Sequence, residues 1–352
     1  MPAKLPSTIA ALLLDWYDRH ARVLPWRSPP GAPRGDPYRI WLSEVMLQQT
    51  QVATVKPYFE TFTRRWPDFA ALAAAEDADV MAAWAGLGYY ARARNMLACA
   101  RAVTNDHGGR LPDSEAALRA LPGVGDYTAA AVAAIAFGRR AVVVDANVER
   151  VVSRLFAIDE PLPGAKKAIR AATDSITPDA RAGDFAQGLM DLGSSICTVR
   201  APQCLICPLR QDCEAHAAGN PERYPVKAAK KTKPERRGTV YWIERDGKVA
   251  LVTRPPKGML GGMRALPDDG WHAGADGNGV PPVEAEWRIA RGVVRHGFTH
   301  FTVILDLALC CDAPADMLEA DWWLVTELAD AGLPTLFAKA ARAFGEMRDD
   351  AA

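Results

Sequence analysis

Four cysteines within one 17-residue stretch, Cys197, Cys204, Cys207 and Cys213, constrain this chain more than any other feature. Their spacing is C-x6-C-x2-C-x5-C, and only Cys99, Cys310 and Cys311 occur elsewhere. Four thiolates in a single loop cannot all point inward without something soft and positive at the centre. Zinc knuckles usually present two tight C-x2-C pairs, whereas here only Cys204/Cys207 is tight. The long flanks favour an iron–sulfur cube, [4Fe-4S], with zinc as the other candidate. A cluster ligated by four protein thiolates has no open coordination position, so it reads as a staple rather than a catalyst. The odd total of seven cysteines argues against a disulfide framework. Arg200 and Arg210 in the same loop could face phosphates or simply solvent.

The rest of the composition narrows the partners. With 352 residues, 49% apolar and 24% charged, the chain has material for two ordinary domains with real cores. Lys+Arg and Asp+Glu both count 42, so no global charge argument for a partner survives. The balance hides an asymmetry, however. Residues 226–305 hold 14 basic against 8 acidic side chains, and 306–352 hold 3 against 10. The longest apolar run, 129–137, is far below the roughly 20 residues that span a bilayer. Asp15-Trp16-Tyr17-Asp18 follows the start too closely for a signal-peptide core, so a cytosolic protein without membrane contact is expected.

Residues up to about 223 read as helix after helix. Ser7 is placed to cap a first helix with Ile9, Leu12, Leu13 and Trp16 at helical spacing. A Pro/Gly-rich loop over 28–37 leads to a helix around 41–54. Further helices are expected near 76–86, 91–107, 114–120, 126–137, 147–156, 164–176 and 184–195. Residues 224–237 are basic and contain prolines, the composition of a linker. Beyond them, strands over 239–243 and 249–253 flank Asp246-Gly247, a strong hairpin signal. Long loops over 255–283, a strand over 301–309 and a closing helix over 336–344 complete the reading. The expected architecture is an all-α domain over 1–223, a linker over 224–237 and a smaller α+β domain over 238–352.

Leu121-Pro122-Gly123-Val124-Gly125 lies between two of these helices, in a hairpin near 114–137. Pro122 stops the first helix. Gly123 and Gly125 admit conformations and close approaches that a Cβ forbids. Such a turn aims successive N–H groups at the N-terminus of the next helix, where the anion of a nucleic-acid backbone is favoured. Alone, the motif is equally an ordinary helix–helix connection. Followed by Val144-Asp145-Ala146-Asn147 and the cysteine loop over 197–213, it resembles the helix-hairpin-helix, Gly/Pro-Asp, iron–sulfur DNA glycosylases related to endonuclease III. Within that superfamily, four tracts are similar to the adenine DNA glycosylases, the MutY family: 24–27 (LPWR), 37–51 (PYRIWLSEVMLQQTQ), 86–95 (GLGYYARARN) and 190–193 (MDLG). The resemblance covers nearly the whole first domain.

The resemblance implies release of adenine mispaired with 8-oxoguanine or guanine in double-stranded DNA, by a [4Fe-4S]-bearing, monomeric enzyme of the bacterial nucleoid. Cleaving a purine N-glycosidic bond calls for an acid on the base and a carboxylate beside an oxocarbenium-like sugar. Glu44 sits among apolar neighbours on a predicted helix, where burial would keep its proton available, although by that setting alone it reads as an ordinary helix-surface glutamate. The resemblance gives it protonation of adenine N7 and then placement of the water. Asp145 precedes a helix and reads as its cap; the resemblance assigns it to the sugar cation. The family commonly shows Asp-Gly-Asn, and Ala146 takes the middle place here, harmlessly if its backbone angles are ordinary. Tyr127 stands where the endonuclease III branch carries its Schiff-base lysine, which implies a monofunctional glycosylase. Tyr127 and Asn147 are expected to hold the sugar and the second carboxylate. Arg27 and Gln187 match positions that contact the flipped adenine. Tyr89 matches the intercalating wedge and Gln49 the group facing the orphaned 8-oxoguanine, whereas Tyr90 reads as core.

The tract 254–267 (RPPKGMLGGMRALP) resembles the family's Nudix-like C-terminal domain, with Arg264-Ala265-Leu266-Pro267 where the family has Trp-Glu-Phe-Pro. The acidic Nudix-box helix that would hold magnesium is missing, which weakens the alternative of a Nudix-type nucleotide hydrolase. An endonuclease III-like pyrimidine glycosylase/lyase is the other alternative. His296-Gly297-Phe298-Thr299-His300 reads by itself as an ordinary strand end, but it matches the family's Phe-Ser-His element, which implies that Thr299 and His300 read 8-oxoguanine with Phe298 as support. The basic excess over 226–305 fits contact with a DNA backbone.

Overall fold

The computed structural model describes residues 6–228, 232–255, 259–298, 300–311 and 318–349. The chain divides into two compact units, Met1–Ala229 and Lys230–Ala352. The first is helical: α1 (Pro6–His20), α2 (Pro37–Leu47), α3 (Val52–Arg65), α4 (Phe69–Ala73), α5 (Asp77–Trp84) and α6 (Ala91–Asp106). It continues with α7 (Glu115–Arg119), α8 (Asp126–Ile135), α9 (Ala146–Leu155), α10 (Lys166–Ile176), α11 (Ala182–Ser195) and the short α12 (Glu214–Ala217). Tyr17, Trp41, Phe59, Phe62, Trp84 and Phe185 are fully buried in its core. Each such side chain contributes on the order of 2 kcal/mol by leaving water.

Several boundaries differ from expectation for local reasons. Pro6 opens α1, so Ser7 lies inside the helix rather than at its cap; proline is well suited to the first helical position. The sequence predicts one helix over 41–54, but α2 stops at Leu47 and α3 begins at Val52. Between them Gln49 takes a φ of 57°, which a helix cannot accommodate. α3 carries Pro57 inside its span, a residue that reads as a breaker in the sequence. The first part of the expected linker is docked on the helical unit. Tyr224 is buried, its carbonyl accepts from Arg154 Nε at 3.1 Å, and Leu162 N donates to the Val226 carbonyl at 2.9 Å. The last part, from Glu235, is strand.

The second unit is a six-stranded sheet with one long helix, counted among the described residues. Its strands are β1 (Glu235–Arg245), β2 (Lys248–Thr253), β3 (Arg264–Ala265), β4 (Arg288–Gly297), β5 (Thr302–Cys310) and β6 (Asp321–Leu324), in the order β3-β2-β1-β5-β4 with β6 on β2. β1 and β5 run parallel; the other pairs are antiparallel. Asp246 and Gly247 both take positive φ, 49° and 69°, as a tight hairpin with the twist of its strands requires. Val240 and Trp242 face a core closed by α13 (Thr335–Asp349), with Phe337 and Phe344 fully buried. Tyr241 and Ile243 face a second cluster, so β1 is covered on both faces. Among the described residues no helix is long and apolar enough to cross a membrane.

Candidate active site

α2, α8, α9 and α11 contribute to the walls of a cleft of about 1510 Å³ in the first unit. Glu44 lines it from α2, only 7% exposed. Burial pushes its carboxyl up from 4.5 to about 7. The Tyr127 hydrogen bond and the Arg27 charge pull it down, and the Asp145 charge adds to the rise. The Tyr127 hydroxyl donates to Glu44 Oε2 at 2.8 Å. Burial, with the charges of Glu44 and Asp145, holds the Tyr127 hydroxyl well above its ordinary range, so it keeps its proton and acts as donor. The sequence reading places Tyr127 beside the second carboxylate; its hydroxyl instead meets the first, because α8 faces α2 across the cleft.

Asp145 lines the same cleft and caps α9, accepting from Val148 N at 2.7 Å through Oδ1. Its Oδ2 accepts from Asn147 Nδ2 at 2.8 Å. With both oxygens engaged, the carboxylate has one orientation. Ala146 opens α9 without a positive φ, so its methyl group is unstrained in the place of the family glycine. Asn147 is held in turn by Arg150 Nη2 at 2.9 Å, and the same guanidinium donates to the carbonyls of Gly193 at 2.7 Å and Cys197 at 2.8 Å. A Cβ at Gly193 would lie 2.7 Å from Asn147 Cβ, so α11 approaches α9 only because that position is glycine. Asn147, Arg150 and Arg154 recur at helical spacing. That periodicity is the one signal in the sequence for the two arginines, which the motifs alone do not single out.

Arg27 and Gln187 also line the cleft, and neither is solvent-exposed: Gln187 is buried and the Arg27 side chain is 7% exposed. Arg27 Nη1 donates to Asp191 Oδ2 at 2.7 Å, while Arg22 Nε and backbone N reach the same carboxylate at 2.6 and 3.1 Å. Asp191, 1% exposed, therefore fixes the direction of Arg27. It belongs to the MDLG tract singled out in the sequence, without a role of its own there.

At the hairpin, Gly123 has φ 71° and an added Cβ would meet Asn95 Cβ at 2.5 Å, so glycine is required. Gly125 is different. Its φ is −88° and nothing lies within 4 Å of a Cβ there, so conformational freedom does not explain it. It caps α8 with no side chain over the helix N-terminus, leaving the first N–H groups of α8 open to an incoming anion. Gln49 lines the cleft and is exposed, while Tyr89 is 61% exposed and is not among the cleft residues. Tyr89 also has positive φ, 50°. Tyr90 packs against the core.

The cysteine loop leaves α11 and returns in α12. Among the described residues no three Cys, His, Asp or Glu side chains are drawn together as a closed metal site. The four thiols are nonetheless neighbours. Burial pushes the Cys207 thiol up to about 12, and the charges of Cys197, Cys213 and Cys204 push it the same way. A cationic centre would reverse that mutual penalty. Arg154 lies 2% exposed beneath the loop, donating to Cys197 Sγ at 3.3 Å and to the carbonyls of Thr198 and Val199 at 2.6 and 3.1 Å. Donor type, spacing and a supporting cation all suit a cluster of four thiolates.

In the second unit, Phe298 stacks on Phe301 with centroids 4.8 Å apart and meets His296 edge-on at 4.7 Å. Its carbonyl accepts from Lys233 Nζ at 2.8 Å. His300 is exposed, and Thr299 lies outside the described residues. Arg264 projects over the Trp323 ring at 4.6 Å, while Ala265 and Leu266 fill the core.

A profile described as HhH-GPD superfamily base excision DNA repair protein matches residues 42–178, and one for the NUDIX domain matches 239–343. The adenine DNA glycosylase of Homo sapiens is 32% identical over 94% of this chain and 73% of its own length. That of Mycolicibacterium smegmatis is 40% identical over 59% of this chain and 70% of its own. Among solved structures, a thermostable thymine-DNA glycosylase is 32% identical with a TM-score of 0.55, over 60% of this chain and 97% of its own. By the extent of these matches, the chain belongs to the adenine DNA glycosylase family.

Proposed function

We propose that the chain excises adenine paired with 8-oxoguanine, or with guanine, from duplex DNA in base excision repair. The observation that carries this reading is one cleft lined by a buried acid, Glu44, and a capped carboxylate, Asp145. With a pKa of about 7, Glu44 still holds its proton in a large fraction of molecules at neutral pH. The extruded adenine takes that proton at N7. The bond from the sugar C1′ to N9 then breaks with its electron pair passing to the base, which leaves neutral. The deoxyribose is left cationic beside Asp145, whose charge offsets it. Water adds to C1′, and its proton returns to Glu44. Tyr127 supports the carboxylate stage of Glu44, and Arg27 and Gln187 contact the adenine. The open N-terminus of α8 takes a backbone phosphate, Tyr89 fills the space left by the base, and Gln49 faces the partner base. In the second unit Phe298, Thr299 and His300 form the proposed reader of 8-oxoguanine.

Cys197, Cys204, Cys207 and Cys213 are proposed to hold a [4Fe-4S] cluster, which supplies structural cross-linking of the loop and no step of the reaction. The purified protein is therefore expected to be yellow-brown, with about four iron and four sulfide per chain. A colourless protein with stoichiometric zinc would contradict this.

Base release from duplexes bearing adenine opposite 8-oxoguanine, adenine opposite guanine, thymine opposite guanine, and thymine glycol tests the function. Free adenine from the first two alone is the expected result. Thymine release would favour the activity in the name of the solved neighbour. Borohydride should trap no efficient covalent adduct, although Lys166 lines the cleft and would be the amine to suspect if one formed.

A further inference from the structure

We propose that Arg92 is the positioning residue that locks Gln49 and Tyr89 into one rigid jaw. Arg92 is the second residue of α6, and its single guanidinium reaches two separate loops. Nη1 donates to the carbonyls of Val45 at 3.2 Å and Met46 at 2.8 Å, in the last turn of α2. Nη2 donates to Thr50 Oγ1 at 3.0 Å, and to the carbonyls of Leu87 at 3.1 Å and Gly88 at 3.3 Å. These partners bracket Gln49 on both sides and immediately precede Tyr89. The guanidinium carbon also lies 5.6 Å from the Tyr89 ring centroid and 5.2 Å from that of Trp84.

The two bracketed residues share an uncommon property. Both take left-handed backbone angles without being glycine, φ 57° for Gln49 and 50° for Tyr89, and both side chains are exposed. That conformation costs roughly 1–2 kcal/mol per residue and persists only where the surroundings over-determine it. Exposed side chains supply little of that restraint, the contact of the Tyr89 ring with Arg92 apart. The restraint comes from groups next to each residue. Trp84 Nε1 also holds the Gly88 carbonyl at 3.0 Å and Thr50 N bonds the Leu47 carbonyl at 3.2 Å, but among the described residues the Arg92 fork is the one group that joins the two loops. A cation also suits the C-terminus of α2, where unpaired carbonyls accumulate. Lysine keeps the charge, but its single nitrogen cannot span both loops. The separation of Gln49 from Tyr89 is thereby set by one side chain that touches no substrate. A group facing the partner base and a wedge beside it must act in register, so the consequence is discrimination between partner bases. That consequence rests on the proposed roles of the two residues; the locking itself does not.

Hydrogen exchange on the full chain, comparing wild type with Arg92→Lys, tests the locking. Amides over 46–51 and 86–90 are expected to exchange together, about tenfold or more faster, while α9 and α11 stay protected. A change in one segment alone, no change, or loss of protection throughout the helical unit would overturn the proposal. As a second readout, the ratio of adenine release opposite 8-oxoguanine to that opposite guanine should fall about tenfold in Arg92→Lys. Equal slowing on both duplexes would overturn the role in discrimination. If wild type releases no adenine, the glycosylase reading fails, and the exchange result still decides whether Arg92 locks the two loops.

Discussion

Glu44→Gln is expected to abolish adenine release while leaving duplex binding intact. The substitution preserves shape and the acceptor for Tyr127, and removes only the transferable proton. General acid catalysis is worth about 10²–10⁴ in rate, and a loss near or above the upper end is expected where the leaving group depends on protonation. Single-turnover cleavage at the wild-type rate would reject the assignment. The same variant should be more stable than wild type at alkaline pH. The folded carboxyl has a pKa of about 7 against 4.5 for the unfolded chain, so between those values the folded state holds a proton that the unfolded state has lost. Stability therefore falls as pH rises from about 4.5 to 7, by on the order of 3 kcal/mol, and the amide variant escapes that loss. Melting curves should show a gain for the variant above pH 7 that vanishes below pH 4.5. Inactivity through misfolding would show the opposite.

Asp145→Asn is the second large effect. An asparagine can still cap α9 through its oxygen, so the fold should survive with a melting temperature close to wild type. What disappears is the anion beside the sugar, and with it the acceptor that both orders Asn147 and is ordered by it. Removing one preorganised electrostatic partner of a transition state typically costs about 10²–10³ in rate. Adenine release should fall by at least that much, with affinity for an abasic-site duplex largely retained. A variant within a few-fold of wild type would remove Asp145 from the chemistry.

The fold class is legible in the sequence because its signals are written locally, whereas the two carboxylates stand out only through the tracts that carry the family resemblance. The cysteine spacing lies within one loop and Leu121–Gly125 within one turn, while the apolar neighbours of Glu44 alone describe an ordinary helix glutamate as well as a buried acid. What stays hidden depends on contacts across the chain. Tyr127 reaches Glu44 over 83 residues, and no local pattern chooses that partner over Asp145. Asp191 fixes Arg27 across 164 residues. The break between α2 and α3 depends on a left-handed Gln49, a residue type with no particular preference for that conformation. β4 is not evident in the sequence because it is an edge strand with mostly exposed side chains, and because Gly292, with φ 63°, falls at a register shift that destroys the alternation of period two. Gly125 shows that a motif does not say why a glycine stands in it: its backbone is ordinary, so of the two reasons a glycine offers there, only close approach to a phosphate is left.

The pH dependence of single-turnover adenine release tests the central claim most directly, since the claim is that a buried Glu44 delivers its proton to the departing base. The wild-type rate should be level below about pH 7 and fall about tenfold per unit above it, as Glu44 ionises. Tyr127→Phe removes a hydrogen bond that favours the carboxylate, so its falling limb should lie at higher pH than that of wild type. A rate that stays level to about pH 9, or climbs with pH, would show that no acid of this kind takes part.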